Sequence, residues 1–79
     1  MVKVKFYTTV GCHLCEDAHL LIDQFVAQGD VIVEMIDIAD SDELIDSYGI
    51  RIPVIQRLDT DKELGWPFDQ MELADFLGA

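Results

Sequence analysis

The chain has 79 residues, enough for one domain spanning 1–79 and too few for two. Its 16 acidic and 5 basic residues give a net charge of −11, which argues against nucleic acid and anionic membranes, because phosphate contacts need clustered Lys and Arg. Hydrophobic residues make up 51% of the chain, enough to build a core at this length, yet no apolar run approaches the ~20 residues of a membrane-spanning helix.

The first element is Val2 to Tyr7, where Val2, Val4 and Phe6 alternate with Lys3, Lys5 and Tyr7 at the period of a strand. The opening residues are too short and too alternating for a signal peptide, so the expected location is the cytoplasm. Thr8 to Gly11 reads as a loop. Leu14, Ala18, Leu21, Ile22, Phe25 and Val26 then recur at helical spacing, with Gly29 as the stop. Val31 to Ile36 is β-branched and nearly continuous, which predicts a second, well-buried strand. Asp40 followed by Glu43 predicts the start of a short helix carrying Leu44, Ile45 and Tyr48 and ending at Gly49. Pro53 to Leu58 reads as a third strand, Asp59 to Lys62 as a turn, and Glu63 to Gly65 as a fourth strand. Asp69 with Glu72 caps a last helix, on which Phe68 staples to Leu73 and the inward face is Leu73, Phe76 and Leu77. The order β-α-β-α-β-β-α predicts a four-stranded mixed sheet with helices on both faces: parallel first strands and a terminal antiparallel hairpin.

Both cysteines lie in Cys12-His13-Leu14-Cys15, at the junction of the first strand and the long helix. A structural staple is a poor explanation, because so short a loop gains little closure entropy and the cytoplasm would reduce it. Redox or metal chemistry explains the spacing better. At a helix start, unpaired backbone N–H groups and the positive end of the dipole favour a thiolate on Cys12. Thiolate is the nucleophile in disulfide exchange. Cys15, one turn later, is placed to resolve the mixed intermediate.

The segment Tyr7-Thr8-Thr9-Val10-Gly11-Cys12-His13-Leu14-Cys15-Glu16-Asp17-Ala18 resembles the active-site segment of small bacterial glutaredoxin-like proteins. Tyr48-Gly49-Ile50-Arg51-Ile52-Pro53-Val54 is similar to the cis-proline segment of that family and of thioredoxins. The resemblance covers nearly the whole chain and implies a thioredoxin-like α/β fold. It also implies a cis Pro53 facing the cysteines, with the backbone of Ile52 offered to an extended substrate. Read without the resemblance, Pro53 is equally a strand-entry proline. Three departures stand out. The stretch before Cys12 lacks the basic residue usual in glutathione-using relatives, and Gly65-Trp66 stands where they carry Gly-Gly. Phe6 occupies the place of the buried carboxylate of thioredoxins.

The expected function is thiol–disulfide exchange with a protein or low-molecular-weight disulfide and an external reductant, by a monomer needing no bound cofactor. Candidate substrate-binding residues are His13, Arg51, Ile52, Pro53 and Trp66. Protonated His13 would stabilise the Cys12 thiolate, or it is simply an exposed residue of a variable dipeptide. Arg51 would lie near Cys12 and hold a thiolate or a carboxylate, or it pairs with one of the many acids. Trp66 and Tyr7 serve as an apolar rim or as packing. The acidity reads as solubility, or as a match to basic partners. The main rival is a small metal-transfer domain using Cys12, Cys15 and His19, which share a helical face. Such domains end in a strand, whereas this chain is expected to end in a helix. A non-catalytic binding module on the same fold is a third reading.

Overall fold

A computed structural model describes residues 2–78. Period-two alternation makes β1 (Val2–Thr8) two-faced, with Val4 and Phe6 buried on one side and Tyr7 on the other. There follow α1 (His13–Ala27), β2 (Val31–Asp37), α2 (Asp42–Tyr48), β3 (Val54–Arg57), β4 (Glu63–Gly65) and α3 (Gln70–Leu77). A 3-10 turn, Ile38–Asp40, is added between β2 and α2. The sheet order is β2-β1-β3-β4, with β1 parallel to β2 and antiparallel to β3, and with β3 and β4 forming the antiparallel hairpin.

The larger core lies on the α1/α3 face, where Val4, Phe6 and Ile55 meet Ala18, Ile22, Phe25, Leu73 and Leu77. Burying each of the larger side chains stabilises the fold by about 1.5–3 kcal/mol. A smaller cluster on the opposite face packs Tyr7 and Val54 against Ile38 and Tyr48. Helices therefore cover both faces, as the element order predicts. α1 buries Cys15, Ala18, Ile22 and Phe25 but leaves Leu14 and Val26 largely exposed, so its apolar stripe is narrower than the sequence implies.

Several features differ from expectation, beginning with β1, which includes Thr8, and β2, which runs on to Asp37. α2 is capped by Ser41, whose Oγ accepts from the Leu44 N–H at 3.4 Å, while Asp40 ends the 3-10 turn that Asp37 caps. β3 is shorter than expected, and Pro53 precedes it. β2 is an edge strand, with Ile32 and Met35 about half exposed, rather than a fully buried one. α3 conforms. Asp69 and Glu72 form a reciprocal capping box, Phe68 and Leu73 are both buried, and Gly78 closes the helix at φ 72°, a conformation that favours glycine.

Candidate active site

Residues 9–11 carry the chain from the end of β1 to the N-cap of α1. Gly11 turns it with φ 82°, where a side chain would be strained. Cys12 is consequently the N-cap of α1, with extended backbone, and its Sγ accepts the Cys15 N–H at 3.1 Å. This is one of the donors a helix start leaves unpaired, used here by sulfur in place of the usual oxygen. The two cysteines are joined as a disulfide, with Cα atoms 5.2 Å apart. Cys12 is half-buried, whereas Cys15 is only 4% exposed and packs into the core. The pair is therefore asymmetric: one sulfur faces a groove at the helix end, and the other sits beneath it.

His13 points into solvent, and its Nδ1 lies 3.7 Å from a Glu16 carboxylate oxygen, a pair too exposed to contribute much. Phe6 is fully buried behind the disulfide, and no polar or charged residue is buried among the described residues. A groove of about 420 Å³ opens on one side of the cysteines, bounded by Phe6, Thr9, His19, Leu20 and Met35. His19 lies against the Phe6 ring, 6.1 Å between centroids, and its Nδ1 is 3.3 Å from Asp23. Among the described residues, no three His, Cys, Asp or Glu side chains are grouped to hold a metal ion.

A second groove, of about 540 Å³, runs past Leu14 and brings together Arg51, Ile52 and Trp66. Pro53 is buried beside it, the Ile52–Pro53 and Trp66–Pro67 peptide bonds are cis, and the Trp66 N–H donates to the Pro53 carbonyl at 3.0 Å. The Ile52 N–H donates to the Tyr48 carbonyl at 3.1 Å. Trp66 is half-buried and packs edge-on against Phe68, 5.1 Å between centroids. Arg51 is held by neighbours other than the cysteines. Its Nε donates to the Ser47 carbonyl at 2.9 Å, its guanidinium lies 4.8 Å above the Tyr48 ring, and Nη1 is 3.5 Å from Glu63.

Glu63 and Tyr48 are the residues that sequence reasoning missed here. The Tyr48 hydroxyl donates to Glu63 Oε2, and the Tyr48 ring stacks on Tyr7 at 4.1 Å. The Tyr7 hydroxyl in turn donates to Gln56 Oε1 at 2.9 Å, and Gln56 pairs with Glu63 across β3 and β4. Burial, and then the hydrogen bond to Glu63, push the Tyr48 phenol well above its usual range.

Fold and site together define a thioredoxin-fold protein with a C-x-x-C pair at disulfide distance at the start of its first helix. The solved structures agree. A structural-genomics target from X. campestris superposes with a TM-score of 0.83 at 32% identity, covering 95% of each chain. The protein Ne2328 from Nitrosomonas europaea gives 0.71 at 29% identity, over 95% of this chain and 89% of that one. Thioredoxin 1 from Thermosipho africanus gives 0.71 at 18% identity, over 96% and 90%, a likeness of fold. The chain belongs to the glutaredoxin-like domain family (DUF836), whose profile matches residues 3–78. No protein with curated function matches it. Among the described residues, no helix is long and apolar enough to cross a membrane.

Proposed function

We propose that the protein is a thiol–disulfide oxidoreductase in which Cys12 is the nucleophile and Cys15 the resolving thiol. The observation that carries this reading is the hydrogen bond from the Cys15 N–H to Cys12 Sγ at the N-cap of α1. On reduction, the same N–H and the positive end of the helix face the sulfur and stabilise its thiolate. Cys15, buried and away from the helix end, stays a thiol until the mixed disulfide brings the reaction to it.

The exchange balances through the two sulfurs. The Cys12 thiolate attacks one sulfur of a substrate disulfide, forming a bond to it while the substrate S–S bond breaks. The first substrate thiolate leaves and takes a proton. Cys15 then loses its proton and attacks Cys12 Sγ, the mixed disulfide breaks, and the second substrate thiolate leaves. The substrate gains two electrons, which the domain loses; one leaving thiolate is matched by the Cys15 proton and the other takes its proton from solvent, to which Cys12 had released its own. An external thiol reductant restores the dithiol by the reverse sequence, and no cofactor enters.

The groove of Arg51, Ile52 and Trp66, which reaches the active-site segment at Leu14 between the two cysteines, is the proposed seat of the substrate's arms, while Cys12 and Cys15 line the neighbouring groove. Exposed Val10, Leu14 and Ile50 are apolar and suit a protein disulfide as well as a small one. The test is to trap the intermediate. Cys15→Ser protein should accumulate a mixed disulfide on Cys12, seen as a mass adduct mapped to that residue. Cys12→Ser protein should not accumulate one under the same conditions. An adduct confined to Cys15 in wild-type protein would reverse the assignment.

A further inference from the structure

We propose that Glu63 is a specificity-determining residue, one that screens Arg51 in the groove running past Leu14 and so disfavours anionic disulfides at Cys12. The inference rests on the disulfide-exchange reading and concerns which disulfides reach Cys12.

Arg51 is the one cation lining this groove, whose other walls include Leu14, Ile52 and Trp66. Alone, a guanidinium there would be a ready partner for the carboxylates of a small anionic disulfide, because its planar fork matches a carboxylate. It is not alone. Glu63 Oε1 faces its Nη1 at 3.5 Å, Ser47 takes its Nε, and Tyr48 covers one face of its plane.

Glu63 is itself held in place. Its other carboxylate oxygen accepts the Tyr48 hydroxyl, and Tyr48 is stacked on Tyr7 beneath it. The acid side chain is 29% exposed and the Arg51 side chain 51%, so the screening charge is the deeper and better anchored partner. With the charge of Arg51 offset by Glu63, the wider field felt by an approaching ligand is that of a chain carrying −11. A carboxylate entering the groove therefore meets a cation already paired with an acid, while a cationic arm meets Glu63 as well as Arg51.

The experiment measures the rate at which Cys12 forms a mixed disulfide in the Cys15→Ser background. The two probes are glutathione disulfide, which is anionic, and cystamine, which is dicationic. Glu63→Gln keeps an oxygen for the Tyr48 hydroxyl and removes the charge, so the ring of contacts is preserved. The glutathione-to-cystamine rate ratio should rise roughly fivefold at low salt, the upper end for an exposed ion pair. Added salt should narrow the gain, and Arg51→Gln added to Glu63→Gln should abolish it. A purely structural role for Glu63 would change both rates together. An unchanged ratio overturns the screening role and leaves disulfide exchange standing. Absence of a mixed disulfide with both probes overturns the exchange reading, and this inference with it.

Discussion

The backbone N–H of Cys15 points at the sulfur of Cys12 from 3.1 Å, so the later cysteine helps to set the chemistry of the earlier one. The relationship is local and follows from spacing. An N-cap side chain accepts from the N–H three residues on, the last of the donors that a helix start leaves unpaired. It also separates the two thiols, since the residue that supplies the N–H is carried down into the core. The first prediction follows. In reduced protein at mildly acidic pH, iodoacetamide should label Cys12 well ahead of Cys15, as read by peptide mapping. Preferential labelling of Cys15 would contradict it.

Trp66 carries the second prediction. It is half-buried and lines the groove with Ile52, and by the resemblance drawn from the sequence it takes the place of a glycine in glutathione-using proteins. Wild-type protein should turn over slowly in a glutathione-coupled assay, and Trp66→Gly should turn over faster. The same substitution removes the contact with Phe68 and should lower the melting temperature. Brisk wild-type turnover with glutathione at physiological salt would oppose the steric argument.

Tyr48 gives a pH dependence with a definite sign. Its phenol is raised above the unfolded value of 10.0 by burial and by the hydrogen bond to Glu63. The stabilisation is therefore fully present below pH 10 and is lost as pH rises from there toward the folded value. Denaturant midpoints should fall more steeply above pH 10 in wild-type protein than in Tyr48→Phe. Identical alkaline profiles would remove Tyr48 as the cause.

The capping box on α3 supplies a fourth prediction. Asp69 Oδ1 accepts the Glu72 N–H at 2.8 Å, and Glu72 returns the contact to the Asp69 N–H. Asp69→Ala should cost about 1 kcal/mol, a fall in melting temperature of about 4–8 °C for a domain of this size. A change within experimental error would show that α3 is held by Leu73 and Leu77 alone.

Much of the fold was legible because its signals are local. The capping pattern at Asp69 and Glu72, the alternation in β1 and the strand–helix placement of Cys12 each lie within a few residues. Asp40 and Ser41 are both competent caps one residue apart, so pattern alone could not choose between them. Only the inserted 3-10 turn decides for Ser41. The apolar run of β2 fits a strand covered on both faces, and its edge position depends on a strand order that the run does not encode. The site divides the same way. The Cys12–Cys15 pair is readable as a motif, but Arg51 meets Glu63 only through the β3–β4 register, and Tyr48 meets Tyr7 only through the packing of α2 on the sheet.

The most direct test is a redox titration of the pure protein with mass-resolved counting of free thiols. Two thiols should disappear together, reversibly, as one two-electron transition, with the oxidised species carrying a Cys12–Cys15 disulfide within one chain. A chain that keeps both thiols across the range, or that oxidises only into cross-linked pairs of chains, would contradict the account.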